Sequence, residues 1–514
     1  MTKRLIHSIL LLIIIFCNNP VFSQEEDEGE KKQIEIIQST TMEYDEKILI
    51  GANRLIGDVI FTHEGAFMFC DSAHFYKDEN LMIAYNNVKI VRGDSLLFLC
   101  NELEYNGDDK IAKMKDSVIL KHHHSYLLTN KLDYDRNTDI ATYYDGGKII
   151  DSLNQLTSIR GYYYIQDKDY YAVDSVILIN SDYTIYSDTL KYNTNSGIAY
   201  FFGKTDIISD SNYMYSEKGY YDTQNNIACF SKNSWLRSGS NYLRGDSLFY
   251  DRNIHFGEAF KNVSITDTVE NIIAKSDYGY YYENPENALL TENILLLYIT
   301  NENDTVFLHS DTIRITVDTL NNKLIRAFYK VQIFKDSLQA RCDSLTFYFL
   351  DSIVHFYHNP IIWAENNKQA LADHIYGYLE NKNPKFFYLE DNAIVIENID
   401  SVLYNQVSCK NIKAILTDRQ IDSVNFFTDV KTIYFIPDDE TNEILQQNWM
   451  ETDNMTVFIV DKALDNLWIY GKTDAFINPI DQIPSNKYKL EKFIWLDEYR
   501  PKTKEDIFIW KEIK

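Results

Sequence analysis

Proline is missing from Val21 to Asn284, a stretch where average usage would place about a dozen. A run this long without proline excludes frequent interruption of a hydrogen-bonded ladder. The eight prolines are Pro20, Pro285, Pro360, Pro384, Pro437, Pro479, Pro484 and Pro501. Cysteine is scarce too: Cys17, Cys70, Cys100, Cys229, Cys342 and Cys409 lie far apart, with no CxxC among them. That spacing argues against a disulfide framework or a zinc site, leaving one bridge open, and the last five read as small buried hydrophobes. Glycine contributes only 18 of 514 residues, and neither a G-x-S-x-G elbow nor a Gly-rich phosphate loop occurs. Positive charge is in deficit, 50 Lys and Arg against 76 Asp and Glu, a net charge of −26. A nucleic-acid-binding surface and a polybasic membrane tether both need the opposite balance. These absences point away from an enzyme, and no cofactor is implied.

One long apolar run is present, Ile9 to Phe16, preceded by Lys3 and Arg4 and followed by the small residue Ser23. This is the layout of a secretory signal over residues 1–23, too short to anchor permanently in a bilayer. Bulky Phe16 before Cys17 disfavours a lipoprotein site. Cleavage after Ser23 would remove two positive charges and leave an exported chain of net charge −28. Residues 24–33, including EEDEGEKK, read as an acidic leader.

What fills the chain is a repeat. Tyr76, Tyr105, Tyr134, Tyr163, Tyr192, Tyr221 and Tyr250 follow one another at 29-residue intervals. Each is followed by a polar turn and usually, seven residues on, by Ala: LEYNGDDKIA, LDYDRNTDIA, LKYNTNSGIA and GYYDTQNNIA. In GDSLFY, Asp246, Leu248 and Tyr250 share one face of an extended strand. Each unit therefore reads as strand, polar turn, strand, and about twelve units make roughly two dozen antiparallel strands from Ile34 to about Val430. The Ala is expected where neighbouring rungs approach closely. Asp–Ser pairs at Asp71, Asp94, Asp116 and Asp246 look like strand-start chemistry. From about Thr432 the texture changes; residues 432–514 read as a C-terminal extension or cap, with a helix expected over 439–452. In KHHHSY, His122 and His124 would share one side of a strand, but no carboxylate completes a metal set, and a strand or loop surface is the simpler reading.

The phrasing G-x-V-x-I, then D-x-L-x-Y, then a polar turn and Ala or Gly, as in LIGDVIFTHEGAFMFCDSAHFYKDENLMIAYNNVKIVRGDSLLFLCNELEY, resembles the OstA-like family. Its relatives include the periplasmic lipopolysaccharide-transport bridge LptA and the N-terminal region of LptD. The likeness is best over 34–192 and continues more weakly over 193–431. It implies an all-β, V-shaped stack of antiparallel strands (a β-jellyroll, or β-taco) open along one side. It also implies acyl chains of lipopolysaccharide or a related lipid in the interior, and partners joined end to end by strand pairing. Homo-oligomers stay open. The implied place is the periplasm, peripheral to the outer membrane, and the implied work is lipid transport and outer-membrane assembly.

The residues expected to line such a trough are Leu103, Tyr105, Met114, Leu132, Tyr134, Tyr143, Leu190, Tyr192, Phe201, Phe230, Leu248 and Tyr250. Twelve units at ~4.8 Å would make it about 60 Å long. Full burial of a chain of about fourteen carbons would contribute up to ~11 kcal/mol. The plain alternative for these columns is a hydrophobic core. Two other classes share the export signal and the alternation. A secreted adhesive or scaffold solenoid would turn aromatics outward. An outer-membrane β-barrel would need uncharged lipid-facing columns, which KIAKMKDSVILKHHH interrupts.

Overall fold

The computed structural model describes residues 32–513, apart from 48–49, 210–211, 301–303, 321, 381–382, 401, 419, 439–440, 442 and 462. The expected signal sequence, most of the expected acidic leader and Cys17 lie outside the described residues. The protein is antiparallel β almost throughout, with 37 strands among the described residues and only short 3-10 turns beside them. The chain forms two compact units, one of residues 1–152 with 160–166, the other of 153–159 with 167–514.

In the first unit, long strands follow one another in sequence: Asn53–His63, Ala66–Tyr76, Leu81–Arg92, Leu96–Asn106, Ile111–His122 and Ser125–Asp135. Each pairs antiparallel with the next through a tight turn. The second unit repeats the scheme from Asp169–Ile179 through Ile272–Tyr282, then with mostly shorter strands, Lys323–Lys335 and Leu338–Tyr348 excepted, to Asn411–Thr417.

The turns after the repeated Tyr are built by the residues that recur there. Asn106 Oδ1 accepts from the Asp108 and Asp109 amides, each at 2.9 Å, and Asn193, Asp222 and Asp251 do likewise in their own turns. Consecutive turns also bond to each other, as Arg136 N–H does to the Lys110 carbonyl at 3.1 Å.

Each long strand is bent near its middle. The register shifts there, and two consecutive residues on one strand of the pair adopt positive φ: Asn86 and Asn87 (63° and 48°), Asp116 and Ser117 (61° and 55°), Lys232 and Asn233 (76° and 56°), Lys261 and Asn262 (57° and 50°). An extra residue in left-handed conformation kinks a strand. The Asn side chain then locks the corner by donating to an acid sixteen residues back: Asn87 to Asp71 at 2.8 Å, Asn233 to Glu217 at 2.8 Å, Asn262 to Asp246 at 2.9 Å. This corrects the strand-start reading for three of the four Asp–Ser pairs; Asp94 does sit in the turn that opens Leu96–Asn106. Asp71, Asp116 and Asp246 sit at mid-strand corners because a short polar side chain there tolerates or buttresses positive φ.

The corner folds each strand into two halves that face each other. The half bearing the repeated Tyr is called here the tyrosine wall, the other the facing wall. Phe61 on the facing wall meets Phe75 on the tyrosine wall with ring centroids 5.7 Å apart, and Phe98 meets Tyr134 at 4.8 Å.

Beyond Thr417 the structure departs from expectation. The helix expected over 439–452 is not formed: residues 444–452 belong to the strand Ile444–Val460, paired on one side with Gln420–Pro437 and on the other with Ala463–Pro479. Ladder pairing along seventeen residues outweighs the local helix-like pattern. Residues 480–513 then run back against the ladder with four 3-10 turns, and no residue from 480 on lies in a strand among those described.

Candidate lipid-binding interior

All twelve residues expected to line a trough are buried, from fully inaccessible at Leu103, Leu132, Tyr143, Leu190 and Phe201 to 6% exposed at Tyr250. Cross-strand pairing joins them into rows. In the first unit Leu103 pairs with Met114 and Met114 with Leu132; Tyr143 pairs with Gly161. In the second unit the row runs Leu190, Phe201, Gly219, Phe230, Leu248, Ala259. Gly219 is glycine because a Cβ there would lie 2.2 Å from the Cys229 carbonyl oxygen and 2.9 Å from the Phe201 ring, which packs on Phe230 at 5.9 Å.

The Tyr positions form a second row, alternating with the recurrent Ala. Ala112 pairs with both Tyr105 and Tyr134, and Ala199 with both Tyr192 and Tyr221. A methyl group is what fits between two rings on adjacent strands.

Six of the seven repeated Tyr, all but the half-buried Tyr76, reach across to the facing wall and meet a residue at its end. Tyr105 Oη bonds His63 Nδ1 at 2.7 Å and accepts from the Arg136 guanidinium at 2.7 Å. Tyr134 donates to Asp139 Oδ1 at 2.7 Å and accepts from Arg92, which also pairs with Asp139. Tyr163 Oη bonds His122 Nδ1 at 2.6 Å. In the second unit Asn154 Nδ2 donates to Tyr192 at 2.8 Å, Asn212 Nδ2 to Tyr250 at 3.3 Å, and Tyr183 meets Tyr221 ring to ring at 4.6 Å. The side of the stack that the resemblance leaves open is thus bridged by side chains, rung after rung. The phenol is long enough to span the gap, and its hydroxyl needs a partner once buried.

The electrostatics follow from this burial. Desolvation pushes the Tyr105 phenol up against the pull of Arg136, and pushes Tyr250 up to about 12, so both stay neutral. Burial also holds the His63 imidazole below its ordinary value, in its neutral form. At Asp139 burial works upward, but hydrogen bonds from Arg92, Tyr134 and Gln166 outweigh it and hold the carboxyl below its ordinary value.

With the clasps closed, two cavities beside the second unit's row are small. A cavity lined by Phe230, Leu236, Leu243, Leu248 and Tyr281 measures about 10 Å³, and one beside it, lined by Ile265, Ala274 and Ile325, about 20 Å³. These hold about one water each, so an acyl chain fits only where the walls part.

His122 is engaged by Tyr163 while His123 and His124 lie exposed in a turn, and no group of metal-ligating side chains forms among the described residues. Cys70, Cys100, Cys229, Cys342 and Cys409 are all free, and burial pushes the Cys70, Cys100 and Cys409 thiols up to about 12.

The facing wall was missed by tracking Tyr alone. Phe98, Leu127, Leu156, Ile185, Met214 and Leu243 are all buried and also recur every 29 residues, a period that could have revealed them.

The comparisons with known proteins bear on the repeat. Residues 31–188 and 176–241 match the family described as OstA-like protein. No curated protein matches the chain. Among solved structures, one similar chain is LptH of Pseudomonas aeruginosa, the LptA-homologous periplasmic component of the conserved lipopolysaccharide transport device. The alignment has 11% identity, covering 34% of this chain and 84% of that one, with a TM-score of 0.13. Overlap of that extent leaves the relationship to stand on the sequence match and on the repeat it coincides with. By both, residues 31–241 of this chain are similar to the OstA-like family.

Proposed function

We propose that the protein is a periplasmic carrier that holds acyl chains of lipopolysaccharide or a related lipid between its two walls, serving lipid transport and outer-membrane assembly. The observation that carries this reading is the unbroken apolar row, Leu190 through Ala259, facing a second apolar row with only removable side-chain clasps between the wall ends. A core that served stability alone would not need one repeated, polar-tipped edge. The OstA-like match covers this part of the chain up to residue 241. Lipid would enter by parting the walls, exchanging Tyr clasps for water or headgroup contacts while methylenes replace the wall-to-wall packing. Cross-strand pairs on the outward surface, Lys113–Glu104 at 3.2 Å and Lys115–Glu102 at 3.0 Å, are out of place on a lipid-embedded barrel and suit a water-facing wall.

A photo-crosslinking residue at Leu132, Phe201 or Leu248 should capture lipid in living cells. The outward neighbours Asp133 and Phe249 should capture much less. Equal capture on both faces, or none at interior positions with no lipid co-purifying by mass spectrometry, would leave the rows as core only.

A further inference from the structure

The outward surface of the second unit changes character after residue 330. On earlier strands that face is water-exposed or half-buried; here Gln332, Gln339, Arg341, Trp363, Gln369, Gln406 and Gln447 are all buried by the returning C-terminal segment. The amides read that segment's backbone. Gln369 Nε2 donates to the Ile494 carbonyl at 2.8 Å while its Oε1 accepts from Leu496 N–H at 2.8 Å. Gln406 does the same to Tyr488 and Leu490, both at 2.8 Å. Each amide therefore takes the carbonyl of one residue and the N–H two residues on, the pair that an adjacent β-strand would take. Gln332 donates to the Ile507 and Ile509 carbonyls at 2.9 and 3.0 Å, and Arg341 bonds the Lys511 carbonyl and stacks on Trp510 at 3.6 Å.

Side-chain burial by the segment is sparse. Among the described residues from 480 onward only Leu496, Pro501 and Ile507 are buried; Leu496 packs on Ile361 and Trp363, while Leu490 and Tyr488 lean on Leu403, Ile433 and Phe435. A core element is held by its side chains. This segment is held by its backbone, a few apolar anchors and two basic side chains, Arg500 on Gln339 and Asn366 and Lys492 on Asn392, as a bound peptide is.

We propose that this face is a peptide-binding site whose resident ligand is the chain's own segment 487–511. The segment detaches as a unit while the strands beneath stay paired. The site then accepts an extended peptide with apolar residues at the spacing of Leu490, Leu496 and Ile507. The reading is independent of lipid in the interior, because the site lies on the outward face.

The test uses the full chain with a protease recognition sequence inserted between Pro484 and Ser485, cut after folding, and a labelled synthetic peptide of residues 485–514 as probe. The cut segment should exchange with the probe while the far-ultraviolet strand signal is unchanged. Replacing Gln369→Ala and Gln406→Ala together should speed release about tenfold or more. Hydrogen exchange on the uncut chain serves where a variant folds poorly. The Leu490 and Leu496 amides should then exchange together, well before the amides of Gln420–Pro437. Exchange of the segment only on global unfolding, or release indifferent to both Gln substitutions, would overturn the proposal.

Discussion

Tyr134 shows what a single repeated residue does here. Its hydroxyl ties Asp139 and Arg92, and through them the ends of both walls. Tyr134→Phe keeps the ring over Ala112 and Ala141 and removes only that tie. Hydrogen bonds to charged groups contribute about 1.5–3 kcal/mol, so a loss in that range is expected by denaturant titration. Asp139 adds a pH term. Its carboxyl is held below its ordinary value when folded, so its contribution is present above the unfolded value of about 3.9 and lost as pH falls through the folded one. Asp139→Asn should therefore flatten the acid limb below about pH 4. His63 works in a higher window. Its folded pKa is lowered by burial, so below about pH 6.5 the unfolded chain takes the proton first and stability falls. His63→Gln should remove that part of the slope between pH 7 and 5, read as the difference from the parent chain. At Leu248 the closed interior changes the outcome that an open, wet trough would give. Leu248 is 3% exposed, so Leu248→Asp buries an unpaired carboxylate and should cost at least about 3 kcal/mol, making Leu248→Ala the better probe of transit.

At the scale of strands and turns, the corner decides whether two strand halves become two walls. Asn87 has φ 48° and donates to Asp71 at 2.8 Å. Asn87→Val places a β-branched side chain in the left-handed region and removes the bond, an expected cost of about 1–3 kcal/mol. Asn87→Gly removes the bond alone and should cost less; local hydrogen exchange at Tyr85 and Val88 would rank the two. The hairpin turns were legible in the sequence because one residue type does one job: Asn or Asp after Tyr caps the turn. The corners were not, because the left-handed pair is spelled Asn–Asn, Asp–Ser, Lys–Asn or Thr–Asp in different repeats. The tyrosine row was legible from its period, and the facing row would have been from the same one. The helix misread at 439–452 came from local pattern without the partner strand that overrides it. The glutamine sites had no local signal, since Gln406 and Tyr488 are 82 residues apart and Gln332 and Ile509 are 177 apart.

At the scale of the molecule, a stack of this kind is stabilised by neighbours, so its ends matter more than its middle. Among the described residues the first long strand, Asn53–His63, is covered along one edge by the short strands Glu35–Gln38 and Thr41–Glu43. The last strand is different. Ala463–Pro479 pairs with Ile444–Val460 on one side and with no strand on the other among the described residues. All seventeen of its residues are exposed, Leu467, Trp468, Ile469, Tyr470, Phe476 and Ile477 among them. A long, apolar edge with free backbone groups is a template for another strand, and soluble proteins ordinarily blunt such edges with short length or lysine. The returning segment does not cover it, because its contacts are with the outward face. The ladder is therefore expected to continue into a strand of a partner protein or of a second copy, in the manner of end-to-end strand addition. Leu467→Lys with Ile477→Lys places two charges on that strand without touching the interior. In sedimentation velocity the parent chain should associate with rising concentration, alone or with its partner, and the double variant should stay monomeric with an unchanged strand signal. Association that survives the two lysines would move the joining surface elsewhere on the molecule and leave this edge bare.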